Sequence, residues 1–177
     1  ALLPIDGENL AEAARTAYRQ RIPLICYISS SGADISEGVK AIHSWGTAAR
    51  EFVNCSGVIP LIFCVTGPAV SGPALLLGLA DLVVMIDDSY AFVSGPNMVE
   101  QYTGEEVSPE GLGGASMHAR TSGVAHFVVP DPESADNLIA ELLTYLPNST
   151  DELPVAASSS DAPDRKLPDV GSIIPDS

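Results

Sequence analysis

Three almost wholly apolar runs alternate along the chain with longer segments whose apolar residues recur every three to four positions. The runs cover residues 22–28, 60–66 and 82–86, and each has the length of a strand. A run that is apolar at nearly every position predicts a strand buried on both faces, which is typical of a parallel sheet.

Segments with helical spacing of apolar residues lie between and after these runs. The pattern predicts helices at 9–19, 35–54, 74–79 and 133–146, and two further short strands at 90–93 and 126–129. Residues 95–114 are rich in glycine and acidic residues, and no element is predicted there. Alternation of strands and helices predicts an α/β fold with a mostly parallel sheet flanked by helices.

Two of the predicted strands run directly into turns that contain glycine. The first turn is Ser29–Ile35 and the second is Gly67–Gly72, and each precedes a predicted helix. Right-handed crossovers place the turns that follow parallel strands at one edge of the sheet, so we expect these two to lie close together. Backbone N–H groups at such turns can stabilise developing negative charge, which predicts an oxyanion hole made of main-chain amides. No Ser-His-Asp arrangement is evident.

The charge of the chain excludes some partners. With 23 acidic and only 8 basic residues among 177, the net charge is −15 at pH 7. No basic stripe is available to meet phosphates, so nucleic acid is not expected as a partner. The cations for any phosphate-bearing ligand would have to come from another chain or domain.

The cysteines and the hydropathy of the chain bear on its location. Cys26, Cys55 and Cys64 lack CxxC spacing and lie mostly in apolar runs, so we interpret them as reduced core residues of a cytoplasmic protein. No signal peptide and no apolar span of the roughly 20 residues that a membrane helix needs is seen. Because the chain begins at Ala1, we expect it to start inside a longer protein.

Other residues with chemical potential are interpreted as structural. No acidic residue lies at a spacing from His118 or His126 that indicates an acid–base pair. Glu105 and Glu106 are neighbours on a predicted loop, and we expect their side chains to face water. Trp45 and Phe52 are expected in the core or at an interface. No spacing of metal ligands is apparent, so no metal is predicted.

Short motifs along the chain resemble a known family. They occur in the family's order, and they are Glu37-Gly38, Gly67-Pro68, Ala80-Asp81, Thr103-Gly-Glu-Glu-Val107, Leu112-Gly-Gly-Ala115 with His118, Ser122-Gly-Val-Ala-His126, Leu143-Thr-Tyr-Leu-Pro147 and Gly171-Ser-Ile-Ile-Pro-Asp-Ser177. This pattern is similar to the carboxyltransferase (beta) subunits of the biotin-dependent propionyl-, acetyl- and methylcrotonyl-CoA carboxylases. Domains of that family have the crotonase (ClpP-like) fold.

The resemblance implies a function and a set of site residues. It implies transfer of a carboxyl group from carboxybiotin to the alpha carbon of an acyl-CoA, through an enolate held by backbone amides. The amides of Ser71 and Gly72 would form the oxyanion hole, and Ser31, Gly32, Ala33 and Gly67 would contact the substrate. Biotin would be carried by a partner biotin carboxylase and carrier subunit, and acyl-CoA would be the substrate. The carboxyltransferase subunits would assemble as dimers and as a hexamer.

The resemblance also implies a domain organisation. Residues 1–147 would be part of the first (N-terminal) carboxyltransferase domain. Residues 148–177, which are rich in Ser, Asp and Pro, would be a linker that leads to a second domain, which is absent from this chain. The chain departs from the family's glycine pairs at Ser31 and Ser71, and from its arginine at Asp34. Two alternatives therefore stay open: a non-catalytic assembly subunit or domain of such a carboxylase, and an acyl-CoA decarboxylase of the crotonase fold.

Overall fold

A five-stranded sheet organises the computed structural model, which describes residues 1–156, 158–162, 164–167 and 173. Its strands are β1 (Leu24–Ser30), β2 (Leu61–Val70), β3 (Leu82–Ile86), β4 (Tyr90–Phe92) and β5 (Phe127–Val129). The order across the sheet is β1-β2-β3-β5, with β4 paired to the last part of β2, and every pairing between these strands is parallel. The prediction of a parallel α/β sheet flanked by helices is confirmed.

Helices cover both faces of this sheet. They are α1 (Pro4–Gln20), α2 (Val39–Cys55), α3 (Gly72–Leu76), α4 (Pro96–Thr103), α5 (Pro109–Gly113), α6 (Ala115–Met117) and α7 (Pro132–Tyr145), with 3₁₀ turns at Ile35–Glu37 and Leu77–Leu79 and a π-helical turn at His118–Ser122. Among the described residues, none of the helices is long and apolar enough to cross a membrane.

The larger core lies between the sheet and the pair α1 and α2. Helix α1 has a proline in its first turn, and its C-terminal cap is Arg21, which has a φ of 57°. Its buried residues are small and recur every three to four positions, so α2 can pack closely against it; they are Gly7, Ala11, Ala14 and Ala17. Across the interface, the Ser44 hydroxyl donates a hydrogen bond to the Pro4 carbonyl. Phe52 of α2 meets Phe63 of β2 edge to face, with ring centroids 5.4 Å apart.

The other face of the sheet is covered by α7. Asp131 caps this helix by accepting a hydrogen bond from the Ser134 amide at 2.7 Å, and proline follows at the first helical position. Ala135 and Ile139 face Cys64 and other buried residues of β2 and β3. The central strands are thus buried on both faces, as their continuous apolar runs predict.

The structure differs from the sequence prediction in two segments. Strand β2 continues through Gly67 to Val70, because its last three residues pair with β4. Residues 95–114, where no element is predicted, contain α4 and α5, each with proline at its first turn.

The predicted linker begins inside the folded part. Ser149 is 2% exposed, the Thr150 amide donates to the Val58 carbonyl at 2.9 Å, and Asp151 forms a 3.1 Å ion pair with Arg21. These contacts attach residues 149–151 to the body of the domain, beyond the predicted boundary at 147. The last motif, 171–177, lies outside the described residues except for Ile173.

Candidate functional site

The two glycine turns adjoin at the carboxyl edge of β1 and β2. Ser30 at the end of β1 is aligned with Ala69 near the end of β2, after an irregularity that begins at Ile28. A Cβ atom on Gly32 would lie 3.2 Å from the Val70 carbonyl oxygen and 3.4 Å from the Ser71 Cβ. The turns therefore touch, and Gly32, with a φ of 101°, needs glycine both for its backbone conformation and for this close approach.

The first turn is held by a short parallel bridge to the start of the chain. The Leu2 amide donates to the Gly32 carbonyl at 2.7 Å, and the Asp34 amide donates to the Leu2 carbonyl at 3.0 Å. The Gly32 amide donates to the Ser30 hydroxyl oxygen at 3.2 Å. Among the described residues, the Ala33 amide has no acceptor. Ala33 thus carries a free donor at this turn, while the Gly32 amide is occupied and Ser31 is exposed.

The second turn is strained at Ser71. Its φ of 64° and ψ of −122° fall in a region that L residues other than glycine rarely adopt. Its amide donates to the Phe92 carbonyl of β4 at 2.9 Å. The sequence predicts a free amide here, whereas in the structure this N–H completes the pairing of β2 with β4.

The Gly72 amide has no acceptor within the described part of the chain. Trp45 of α2 packs directly on this glycine: a Cβ atom at position 72 would lie 2.6 Å from the indole Nε1 and 2.8 Å from Cε2. The indole N–H is itself buried and has no partner among the described residues. Gly72 is therefore a free donor in a position where only glycine fits.

Gly67 lies inside β2 and not in the turn where the sequence places it. A Cβ atom on Gly67 would be 2.6 Å from the hydroxyl oxygen of Ser29 on the neighbouring strand. Its missing side chain allows β1 and β2 to approach where the Ser29 side chain lies between them.

Asp34 is occupied within its own turn. Its carboxylate accepts hydrogen bonds from the Ser36 hydroxyl at 2.6 Å and from the Ser36 amide at 2.9 Å. These hydrogen bonds lower the pKa of Asp34 below its usual value. The bond from the Ser36 hydroxyl has the larger effect, and the bond from the Ser36 amide has the next largest. The carboxylate is thus charged at neutral pH, and its Oδ1 atom accepts both hydrogen bonds from Ser36.

Both histidines of the motifs make hydrogen bonds within the fold. The His118 ring contacts the Ala91 carbonyl through Nε2 at 2.7 Å and the Ser122 hydroxyl through Nδ1 at 2.7 Å, so both ring nitrogens are used. His126 Nδ1 accepts from the Val83 amide at 3.0 Å, next to the edge of β5. Glu105 and Glu106 are exposed. No cluster that could ligate a metal occurs among the described residues.

The three thiols are free in the structure. Burial raises the pKa of Cys26 to about 12 and that of Cys64 to about 11, and it raises the pKa of Cys55 as well. Thiols with such pKa values stay protonated at neutral pH and make poor nucleophiles. The interpretation as core cysteines is confirmed for Cys55 and Cys64, which are buried, while Cys26 is partly exposed.

The strain at Ser71 leads to a prediction about stability. Ser71→Gly is expected to raise the free energy of unfolding by about 1 kcal/mol, because a strained φ costs about 1–3 kcal/mol and glycine removes that cost. The greater freedom of glycine in the unfolded chain offsets about 0.4–1 kcal/mol of the gain. Urea unfolding of the full-length protein measures the change. Ser31→Gly is the matched control, since Ser31 has no positive φ and is expected to lose stability. A loss of equal size in both variants would contradict the argument.

Comparison with known proteins agrees with this architecture. Residues 1–177 match the family defined as the carboxyl transferase domain. The chain is 36% identical over 173 residues to the carboxyltransferase subunit of propionyl-CoA carboxylase from Haloferax mediterranei, covering 97% of this chain and 34% of that protein. It is 34% identical to the alpha subunit of methylmalonyl-CoA decarboxylase from Veillonella parvula, with coverage of 97% and 34%.

A solved structure has the same fold. Transcarboxylase 12S, a hexamer assembly determined with hydrolysed methylmalonyl-coenzyme A bound, superposes with a TM-score of 0.87 at 29% identity, over 91% of this chain and 32% of that one. The fold is therefore that of the crotonase-like carboxyltransferases, as predicted. The chain belongs to the carboxyl transferase domain family, a family of enzymes. It spans about a third of the length of the curated relatives that it matches.

Proposed function

We propose that this chain is part of the carboxyltransferase component of a biotin-dependent acyl-CoA carboxylase. The observation that carries the proposal is the pair of free amides, Ala33 and Gly72, on two adjoining turns at one edge of the sheet. Family membership and the relatives that act on coenzyme A thioesters support the same assignment.

The proposed chemistry needs stabilisation of an enolate. Removal of a proton from the carbon next to a thioester carbonyl places negative charge on the thioester oxygen. One preorganised donor aimed at such an oxygen contributes about 3 kcal/mol to lowering the barrier. The carboxyl group would come from carboxybiotin on a partner protein: its bond to the biotin nitrogen would break, the ureido group of biotin would take up the alpha proton, and the new carbon–carbon bond would form at the alpha carbon.

The site residues have separate proposed roles in this scheme. Gly72 and Ala33 would donate to the enolate oxygen. Ser71, whose amide is occupied by Phe92, would hold the second turn in its strained conformation, and Gly32 would hold the turns together. Exposed Ser31 would contact the bound acyl-CoA at the rim. Gly67 would act by allowing close strand packing.

The assembly is also proposed from the family. Residues 1–147, with the attached residues 149–151, would belong to the first carboxyltransferase domain, and the remainder would lead to a second domain. We propose that the full-length protein forms dimers of carboxyltransferase subunits, and that these dimers assemble into a hexamer. This oligomer would work with a biotin carboxylase and a biotin carrier. Its three free thiols support a place in the cytoplasm.

Reconstitution tests the function. The full-length protein is combined with biotin carboxylase, biotinylated carrier, ATP, labelled bicarbonate and an acyl-CoA such as propionyl-CoA. We expect label in the acyl-CoA product only when all components are present. Absence of label, with a carrier that is shown to be carboxylated, would refute the proposal.

A decarboxylase is the second candidate, and the 34% identity to a methylmalonyl-CoA decarboxylase subunit favours it. Such an enzyme would move the carboxyl group from a carboxylated acyl-CoA to the carrier. The labelled carboxyl group of methylmalonyl-CoA would then be transferred to the carrier, while carboxylation of an acyl-CoA with ATP and bicarbonate would fail. A non-catalytic assembly subunit would move label in neither direction but would still bind its partners.

A further inference from the structure

The His118 side chain links the segment after α5 to the outer edge of β4. Its Nε2 atom lies 2.7 Å from the Ala91 carbonyl oxygen. Because a carbonyl oxygen can only accept a hydrogen bond, Nε2 carries a proton in this contact. Nδ1 lies 2.7 Å from the hydroxyl of Ser122, whose oxygen also accepts from the Val124 amide at 3.3 Å. In the neutral ring, these partners therefore select the tautomer that donates through Nε2.

The packing around the Ala91 carbonyl makes this donor important. Ala91 is 3% exposed, so water has little access to replace a missing hydrogen bond. A Cβ atom on Gly113 would overlap the Ala91 carbonyl oxygen and would lie 3.3 Å from His118 Nε2. Glycine at this position thus leaves room for the imidazole ring to reach the carbonyl. A buried carbonyl without a donor is unfavourable, so loss of this bond is expected to move β4.

Strand β4 connects the histidine to the second turn of the candidate site. It has three residues, and they pair with the last three residues of β2. Carbonyl groups of successive strand residues point in opposite directions. That of Ala91 meets His118, while that of Phe92 accepts a hydrogen bond from the Ser71 amide at 2.9 Å. One short strand therefore lies between the imidazole ring and the strained residue.

The conformation of Ser71 determines where the free amide of Gly72 points. The Gly72 N–H belongs to the peptide group that begins at the Ser71 carbonyl carbon. The Ser71 φ of 64° is strained, and such a conformation persists only where neighbouring contacts hold it. The hydrogen bond to Phe92 is one of these contacts. If β4 moves, Ser71 relaxes and the Gly72 amide turns with it.

We infer that His118 is a positioning residue for the Gly72 amide. Its Nε2–H holds the Ala91 carbonyl, and β4 in turn holds Ser71 in the conformation that aims the Gly72 donor. His118 itself touches no reacting atom. The catalytic consequence rests on the proposed function, whereas the connection from His118 to Ser71 lies within the described fold.

Two variants of similar side-chain length separate the donor from the volume of the ring. His118→Gln keeps an N–H group near the position of Nε2, and His118→Met has no donor. In the full-length protein with its biotin-carrying partner, we expect His118→Met to lower kcat for carboxyl transfer by about 10–100-fold, as a misplaced group does. KM for the acyl-CoA is expected to stay within about 2-fold, because only the transition state needs the aimed amide. His118→Gln is expected to keep most of the rate, and equal kcat values for the two variants would overturn the inference.

Hydrogen–deuterium exchange of the full-length protein, followed by mass spectrometry, tests the connection without catalysis. In His118→Met we expect faster exchange in peptides that cover residues 68–72, and no change in residues 61–65 at the start of β2. His126→Met is the control, because His126 accepts from the Val83 amide near the start of β3, at the opposite edge of the sheet. It is expected to leave exchange in 68–72 unchanged. Unchanged exchange in this segment in His118→Met, or faster exchange throughout β2, would contradict the positioning role.

The two proposals fail in different ways. If the unmodified protein carboxylates no acyl-CoA, the proposed function is wrong, and the exchange comparison still decides whether His118 holds Ser71. If carboxylation proceeds and His118→Met matches the unmodified protein in kcat and exchange, the positioning role is wrong and the proposed function stands. If His118→Met does not fold, His118→Asn replaces it, since its shorter side chain extends toward Ser122 but not to Ala91. A protein that folds with neither variant would show a role in stability and not in positioning.

Discussion

Gly72→Ala is expected to lower kcat for carboxyl transfer by about 100–1,000-fold, the usual effect of removing one oxyanion donor. The new Cβ atom would lie 2.6–2.9 Å from three atoms of the Trp45 indole ring, which is closer than a carbon atom can approach. Trp45 belongs to helix α2, and we expect the contact to be relieved by a shift of the turn, which moves the Gly72 amide as well. Steady-state kinetics of the full-length protein with its biotin-carrying partner measure the loss.

Two further variants separate this effect from a general loss of structure. Gly78→Ala lies in the 3₁₀ turn a few residues later, where a Cβ atom meets no atom within 4 Å, so it is expected to keep wild-type kcat. Adding Trp45→Leu to Gly72→Ala makes room for the methyl group and is expected to restore part of the rate. Wild-type kcat in Gly72→Ala would rule out a role for this amide.

Phe63→Ala is expected to lower the free energy of unfolding by about 3–5 kcal/mol, as Phe-to-Ala changes in cores do. Phe63 is fully buried near the start of β2 and meets Phe52 edge to face. It also lines a cavity between the sheet and the helices α1, α2 and α3, so the truncation enlarges a void that is already present. Chemical denaturation of the full-length protein measures the change, which is read from the transition in which the domain that contains β2 unfolds.

Tyr102→Ala provides the aromatic control. Tyr102 is 88% exposed on α4, and its truncation is expected to change stability by no more than about 0.5 kcal/mol. If Phe63→Ala cost as little as Tyr102→Ala, the packing of β2 against α1 and α2 would have to be different from the one described.

The central strands could be predicted from the sequence because their burial is two-sided. Strand β3 matches its apolar run residue for residue, since a strand covered by helices on both faces needs apolar residues at every position. Helix α7 has a capping aspartate, a proline at its first position and a proline shortly after its end, so its limits are set by local chemistry.

The prediction failed where long-range pairing determines structure. Gly67 and Pro68 look like a turn in isolation, yet β4 pairs with Pro68–Val70 and extends β2 through them. In 95–114, short helices form although the composition is rich in glycine. Local signals were present there in Pro96 and Pro109, each at a first helical turn, but the helices are too short for periodicity to reveal them.

The sequence by itself determined the alternation of strands and helices, the two glycine turns and the family. These depend on residue type and order: apolar runs, glycine after a strand, and motifs in a fixed succession. The tertiary structure alone decided which amides are free. Ser71 and Gly72 are neighbours in the chain, but the N–H of Ser71 meets the Phe92 carbonyl, while that of Gly72 has no acceptor among the described residues. An amide's availability depends on where a distant strand places its carbonyl, and this is set by the packing of the whole sheet.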